Sequence, residues 1–194
     1  IRAWERINIC VASFCAHGDL LSQWRGYGIP GSVYSIGFDV QKMVDTLDPY
    51  RFKLYHCQYY DPKEFQQKIQ QFIFEIIAQA QKDRKIRVDF IEKFVETAAT
   101  MKLDCFKEED EWRVLSWRPL LFTDEGFDFK SGKSMMVPYY SIPLDLSSIV
   151  EIIIGPCQQP ELARDAVYGM AHKYKLENVQ PGHVKTSQIP YRSF

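Results

Sequence analysis

The chain has 194 residues and a formal net charge of −1, and 46% of its residues are apolar, 14% aromatic and 25% charged. This composition predicts a globular protein with a sizeable core, and the near-zero charge excludes a global field that would recruit nucleic acid or an anionic membrane. A membrane helix needs about 18 consecutive apolar residues, and the sequence contains neither such a run nor a secretory signal.

The cysteine and histidine spacings indicate neither disulfides nor a metal centre. Five cysteines are scattered along the chain without a C-x-x-C pair. An odd number in no recognised pattern is typical of free thiols in a reducing compartment, so we expect a cytoplasmic protein. The four histidines, His17, His56, His172 and His183, lie far apart and form no metal-binding motif.

The first sixty residues alternate short strands with short helices. The residue patterns predict a buried strand over 7–15 and further strands over 33–38 and 51–60, which are rich in β-branched and aromatic residues. Asp19 and Asp39 are expected to cap the two short helices that lie between these strands.

Two longer helices are predicted next, over about 62–82 and 88–102. Asp61 followed by Pro62 is a typical helix start. Each helix has one apolar stripe, formed by Phe65, Ile69, Phe72, Ile73, Ile76 and Ile77 in the first and by Phe90, Ile91, Phe94, Val95 and Ala98 in the second. We expect a helical hairpin inserted between strands, about 62–102. It would act as a lid or as a surface for a partner protein, and it would add no side chain to a catalytic site.

The second half of the chain returns to strands. A helix is predicted from Pro160, and strands are predicted over 111–117, 135–143, 148–155 and 183–192. This order predicts a single α+β domain over 1–194, with a mixed or antiparallel sheet, the helical-hairpin insertion and a C-terminal helix. The strands 7–15, 33–38 and 111–117 are expected to share one sheet. The lack of a Gly-rich phosphate loop argues against a Rossmann fold or a P-loop.

Four acidic residues, Glu108 to Glu111, lie directly before a predicted strand in the segment FKEEDEWRV. If the strand is extended from residue 109, Glu109, Glu111 and Arg113 share one face. Two neighbouring carboxylates resist joint ionisation, so one pKa is expected to rise. A raised pKa suits acid–base catalysis, and a carboxylate at this position could also stabilise a cation that forms in the transition state. The alternative is an acidic surface loop in which Arg113 neutralises one carboxylate.

The segment SFCAHGDLLSQWRGYG, residues 13–28, contains the second group of candidate residues. Ser13 lies near the end of the first strand. Arg25 has the chemistry to bind a phosphate, and Trp24 and Tyr27 could stack on a base or a nicotinamide ring, so these four residues are the expected cofactor-binding set. The alternative is that Trp24 faces the core and Arg25 lies on the surface.

These motifs together resemble a widespread group of bacterial and phage-associated domains of unknown function. The matching segments are SFC (13–15), LLSQWRGYG (20–28), SIGFD (35–39), FKEEDEWRV (106–114), EIIIG (151–155) and VKTSQIPYR (184–192). The group's usual opening segment has no match, and the chain begins at Ile1 rather than Met, so we expect that an upstream segment is missing. Such domains occur in defence or toxin contexts, and the resemblance implies that setting for this chain.

The arrangement is also loosely similar to the ADP-ribosyltransferase fold, and this similarity implies NAD as a substrate. Ser13 would take the position in the motif that shapes the nicotinamide pocket. Glu111 would be the catalytic carboxylate, and Glu109 would orient the acceptor. The early Arg or His strand of that superfamily has no clear match here.

Three functions are therefore considered. The first is a bacterial effector that transfers ADP-ribose from NAD to a protein or nucleic acid, or that hydrolyses NAD. The second is a non-enzymatic sensor or interaction domain of an antiphage system, and the third is a nuclease-like effector with a metal held by Glu109 and Glu111. The transferase requires Glu111 to open onto a cleft beside Trp24, Arg25 and Tyr27. The interaction domain predicts solvated carboxylates that lie far from Arg25.

Overall fold

The computed structural model describes residues 8–28, 33–82, 88–117 and 120–191, with the backbone alone at 80, 82 and 88–91. The chain divides into two compact units, one of residues 1–16 and 47–142 and the other of residues 17–46 and 143–194. Both units combine helices with strands, which confirms the predicted α+β class. That the two units form one folding domain stays a prediction.

In chain order the strands are β1 (Val11–Cys15), β2 (Tyr34–Phe38), β3 (Phe52–His56), β4 (Gln58–Tyr60), β5 (Met101–Leu103), β6 (Glu111–Ser116), β7 (Phe127–Ser131), β8 (Met136–Tyr140), β9 (Ile149–Ile154) and β10 (Val184–Thr186). The helices are α1 (Leu21–Tyr27), α2 (Val40–Leu47), α3 (Pro62–Lys82), α4 (Val88–Thr100) and α5 (Pro160–Lys173).

Strand β6 is the central strand of the main sheet in the first unit. It pairs antiparallel with β1 on one side and with β3 on the other, so Ser13 lies opposite Arg113 and Cys15 lies opposite Glu111. Residues 114–116 of β6 are buried. Strand β1 is mostly exposed because it is an edge strand of this sheet, so the prediction of a buried strand over 7–15 is wrong.

A second, two-stranded sheet joins the two ends of the helical insertion. Strand β4 precedes α3, strand β5 follows α4, and the two strands pair in parallel with Tyr59 opposite Lys102. Parallel neighbours cannot be joined by a tight turn and need a long crossover connection. Helices α3 and α4 are that connection, and their packing brings the segment after α4 back beside β4. Strands β7 and β8 form a separate antiparallel hairpin.

Helices α3 and α4 confirm the two predicted helices, although α4 ends at Thr100. The Asp61 carboxylate accepts hydrogen bonds from the backbone N–H groups of Lys63 and Glu64 at 2.7 and 3.0 Å, as expected for a cap at the start of α3. The rings of Phe72 and Phe94 stack between the helices with their centroids 4.9 Å apart. Among the described residues, no helix combines the length and the apolar character that crossing a membrane requires.

Strand β9 is the central strand of the sheet in the second unit. It pairs antiparallel with β2 and parallel with β10, and α5 connects β9 to β10. The prediction that 33–38 shares a sheet with 7–15 and 111–117 is therefore wrong. An apolar alternation predicts a strand but not its partner, and the run IVEIII of β9 supplies the neighbour that β2 uses. The buried core of this unit consists of Ile149, Ile152, Ile154, Val167, Ala171, Leu176, Val179 and Val184.

Candidate functional site

The carboxylate of Glu111 is the centre of a buried ionic cluster at the start of β6. Glu111 is only 5% exposed. Its Oε1 accepts a hydrogen bond from Arg113 Nε at 2.8 Å, and its Oε2 accepts one from Arg113 Nη2 at 3.3 Å. The Lys102 ammonium donates to Glu111 Oε2 and also to Glu109 Oε2, the latter at 2.5 Å. Glu111 thus contacts two cations, and Lys102 bridges the two carboxylates.

The pKa of Glu111 is set by these donors. Burial alone would raise it, but hydrogen bonds from Arg113, Lys102 and the Ser13 hydroxyl outweigh burial and lower the pKa from 4.5 to about 2. The prediction of a raised pKa is therefore wrong for Glu111, because Arg113 and Lys102 both stabilise its ionised form. Arg113 does pair with a carboxylate, as the alternative expected, but that carboxylate is buried at the start of a strand and does not belong to a surface loop.

Glu109 reaches the cluster from a 3₁₀ helix and not from the strand. This helix spans Asp104–Glu109, and Asp110 follows in the left-handed region at φ 40°, so the strand begins only at Glu111. The premise that Glu109 and Glu111 share one strand face is wrong. Their carboxylates meet because Lys102 binds both.

Three further hydrogen bonds hold the backbone of the cluster. The Glu111 N–H donates to the Tyr59 hydroxyl at 2.7 Å, and the Glu111 carbonyl accepts from the Cys57 N–H at 2.8 Å. The Cys15 thiol donates to the Glu109 carbonyl at 2.8 Å. Cys15 of β1, Tyr59 of β4 and Cys57 each make one of these hydrogen bonds, so the cluster is part of the framework of the first unit.

Lys102 is the member of the cluster that no sequence motif indicates. It lies in β5, and the parallel pairing of β5 with β4 places it beside the carboxylates. It is also the last residue of the segment 62–102, so this segment contributes a side chain to the cluster. That the segment adds no side chain to a catalytic site stays a prediction. The insertion contributes once more through the Ala99 carbonyl, which accepts a hydrogen bond from Arg113 Nη1.

The geometry suits the retention of an ionised carboxylate better than proton transfer or metal binding. A base with a pKa of about 2 is a weak proton acceptor at neutral pH. A metal between Glu109 and Glu111 would have to displace the Lys102 ammonium. Within the described ranges, no group of three or more His, Cys, Asp and Glu side chains is placed to hold a metal ion. An NAD ribose hydroxyl would likewise have to replace one of the donors that already bind Glu111.

The predicted cofactor-binding residues of α1, which are Trp24, Arg25 and Tyr27, belong to the second unit, and Asp19 binds Trp24. The Trp24 indole N–H donates to the Asp19 carboxylate at 2.7 Å, and the same carboxylate accepts from the Ser187 hydroxyl at 2.6 Å and the Gln188 N–H at 2.8 Å. The prediction that Asp19 caps this helix is wrong, since α1 begins at Leu21 without a side-chain cap. Asp19 instead links α1 to the segment that follows β10.

Within the second unit, Trp24 is packed whereas Arg25 and Tyr27 are exposed. A Cβ atom added at Gly155 would lie 3.2 Å from the Trp24 ring, so the ring covers the end of β9. Arg25 is on the surface, and Tyr27 is 82% exposed. This geometry favours the alternative in which Trp24 has a packing role. That these residues form one site with Glu111, which lies in the other unit, stays a prediction.

Part of the chain matches a family of known proteins. Residues 23–114 match the family model described as "Protein of unknown function (DUF2971)". No curated protein and no solved structure matches the chain. The matched segment begins in α1 and ends in β6, so it contains both the WRGYG helix and the acidic segment. Over this segment the chain is similar to a domain family of unknown function.

Proposed function

We propose that the chain is a non-enzymatic interaction domain that associates with a second copy of itself through α3. The defence or toxin setting is the one that the family resemblance implies, and the five free cysteines support a reducing, cytoplasmic location. The observation that carries the proposal is a line of exposed isoleucines on α3. The Glu111 carboxylate, in contrast, is buried and accepts its hydrogen bonds from within the chain. The expectation that an interaction domain leaves this carboxylate solvated is therefore wrong, but the carboxylate is not open to a substrate either.

The exposed line consists of Ile69, Ile73 and Ile77. Residues four apart lie on one face of a helix, and these three side chains are 41%, 49% and 47% exposed. Gln66 and Gln70, the exposed polar residues that flank the line, are uncharged. An exposed apolar line of this kind on a helix is typical of a protein–protein contact, and Phe74 of the same helix is exposed as well.

Most charged side chains of α3 lie away from this line. At 100° per residue, Glu64, Lys68 and Glu75 fall on the opposite flank of the helix, whereas Lys63, in the first turn, falls about 80° from the middle of the line. The line itself, from Ile69 to Ile77, carries no Lys or Arg, so it does not attract nucleic acid phosphates or an anionic membrane. It suits another apolar, uncharged protein face.

A second copy of the chain supplies such a face. Antiparallel pairing of two α3 helices about Ile73 would place Ile69 of one copy against Ile77 of the other. Because the three isoleucines are evenly spaced about Ile73, the contact is self-complementary, as a two-fold interface requires. No like charges meet across it.

We expect the wild-type chain to be a dimer at about 100 μM and to dissociate on dilution. Ile73→Glu should weaken the association by at least about tenfold, because a carboxylate from each copy would be buried at the centre of the contact. Gln67→Glu, an exposed position on the far side of α3, is the matched control and should leave the dimer intact. Size-exclusion chromatography coupled to light scattering gives the molar mass of each variant. The proposal is contradicted if the wild-type chain is a monomer at about 100 μM, or if Ile73→Glu is still a dimer at that concentration.

The second candidate function is ADP-ribose transfer from NAD, or NAD hydrolysis. The hydrogen bond from Ser13 to Glu111 favours this function, because it joins two of the predicted site residues. A third, Glu109, binds Lys102, which also binds Glu111. NAD cleavage develops positive charge on the ribose, and an ionised carboxylate stabilises that charge. Glu111 is ionised at neutral pH, but Lys102 or Arg113 would have to release one of its oxygens to substrate.

Nicotinamide release separates the two functions. With NAD and candidate protein and nucleic-acid acceptors, we expect no release above background by the wild-type chain. Release that is lost in Ser13→Ala and Glu109→Gln, but kept in the exposed control Glu108→Gln, would establish that the chain cleaves NAD. Circular dichroism of each variant verifies that it is folded under the assay conditions.

A further inference from the structure

A pocket of about 220 Å³ lies in the first unit, away from the carboxylate cluster. It is bordered by the short 3₁₀ helix Asp48–Tyr50, by the turn that precedes β7 and by the end of β8. Its walls include Tyr50, Arg51, Leu120, Asp124, Glu125 and Tyr140. One guanidinium, two carboxylates and two phenol rings therefore border a space too small for most drug-sized ligands, which occupy about 300 Å³ or more.

Arg51 has a backbone conformation that its side chain does not favour. It follows the 3₁₀ helix in the left-handed region, at φ 65° and ψ 37°. Its N–H donates to the Asp48 carbonyl at 3.0 Å and its carbonyl accepts from the Trp117 N–H at 3.2 Å, so the surrounding backbone holds this conformation. Glycine or asparagine is the usual residue at such a position.

Strain of this kind at a pocket is a signature of a functional side chain. Among the described residues, the other non-glycine residues with positive φ are Asp110 and Lys175, and neither lines this pocket. The presence of arginine at residue 51, where glycine would be the easier choice, supports a role for the guanidinium.

The wall of the pocket that Tyr140 forms is closely packed. The Tyr140 ring packs against Phe52 and Phe127, with both pairs of centroids 5.3 Å apart. It also lies directly on Gly126, where an added Cβ would come within 2.4 Å of the ring. Burial raises the pKa of Tyr140, and Asp124 raises it further while Arg51 lowers it, so both charges act on this wall.

We propose that this pocket binds a free amino acid, through its carboxylate at Arg51 and its ammonium at Asp124 and Glu125. Arginine binds carboxylates through two parallel hydrogen bonds. The Glu125 carboxylate and the Asp124 carboxylate, whose Oδ2 already accepts a hydrogen bond from the Leu121 N–H at 2.9 Å, offer acceptors for an ammonium. The phenol rings of Tyr50 and Tyr140 cover apolar groups. A ligand with only one of the two charges would leave either the guanidinium or the carboxylates without a partner.

Titration of the full chain with matched ligands tests this proposal. The probes are L-alanine, L-leucine and L-phenylalanine, which sample side-chain size. Their one-charge analogues are ethylamine, isoamylamine and phenethylamine, which lack the carboxylate, and propionate, isocaproate and 3-phenylpropionate, which lack the ammonium. We expect at least one amino acid to bind in calorimetry, and its two analogues to bind about tenfold more weakly or worse, because each loses a set of charge-assisted hydrogen bonds.

Two variants at residue 51 make the result specific. Arg51→Gly should abolish binding while keeping or increasing thermal stability, because glycine adopts the left-handed conformation without strain. Arg51→Lys keeps the charge but not the planar fork, and it should bind about tenfold more weakly. The proposal is overturned if no amino acid binds at about 10 mM, a concentration that would detect even a millimolar Kd. It is also overturned if an amine binds as tightly as its parent amino acid, or if Arg51→Gly retains the affinity.

Discussion

Replacing Glu111 with glutamine is expected to lower the free energy of unfolding by about 3 kcal/mol at pH 7. Glutamine keeps the shape of the side chain but removes the negative charge that Lys102 and Arg113 share. Both cations then remain in a partly buried site with less compensation, and removing one partner of such a buried set is costly. Chemical denaturation followed by circular dichroism measures the change.

The matched control is Glu108→Gln. Glu108 is an exposed carboxylate of the same acidic run, and its replacement should change the stability by less than about 0.5 kcal/mol, as most surface substitutions do. Equal effects of the two substitutions would contradict the account of an enclosed Glu111. A catalytic carboxylate open to solvent would instead leave the stability nearly unchanged on replacement.

The contribution of Glu111 to stability is expected to disappear in acid. Its pKa is about 2 in the folded chain and 4.5 without its partners. The folded-state value is the lower one, so the contribution is fully present above pH 4.5 and is lost as the pH falls from there towards 2. A difference of this size is worth about 3 kcal/mol.

Comparison with Glu111→Gln isolates this effect from other acidic groups. The stability difference between the wild type and the variant should be constant between about pH 5 and pH 7 and should shrink steadily below that range. At about pH 2 a protonated glutamate resembles glutamine, so the two proteins converge. A difference that does not depend on pH would show that another property of the substitution, and not the charge, is responsible.

The pairing of Glu111 with Arg113 could be predicted from the sequence, whereas the second cation of the cluster, Lys102, could not. Glu111 and Arg113 are two residues apart in a strand, so the alternation of side chains already places them on one face. Lys102 reaches them only because β4 and β5 pair across the whole helical insertion. No short stretch of the sequence indicates that contact. Without it, the two neighbouring carboxylates lead to the incorrect expectation of a raised pKa.

The contrast between local patterns and long-range pairing also explains the other differences between the predicted and the observed structure. Helical periodicity correctly predicts α3 and α4, but it does not state which part of an apolar stripe is covered, and Ile69, Ile73 and Ile77 remain exposed. The pattern of residues 33–38 predicts a strand, but its partner β9 lies more than a hundred residues later. Local propensity thus predicts the elements, and long-range pairing determines the sheets and the surroundings of Glu111.

The central claim about the site is that Glu111 is a buried carboxylate that stays ionised down to about pH 4, and its titration tests this claim most directly. Nuclear magnetic resonance of ¹³C-labelled glutamate reports the protonation of each side-chain carboxyl group. The account predicts no change in the Glu111 signal as the pH is lowered to about 4, and a midpoint of about 2. A midpoint at or above 4.5 would contradict it, because the carboxylate would then be either solvated or poised for proton transfer.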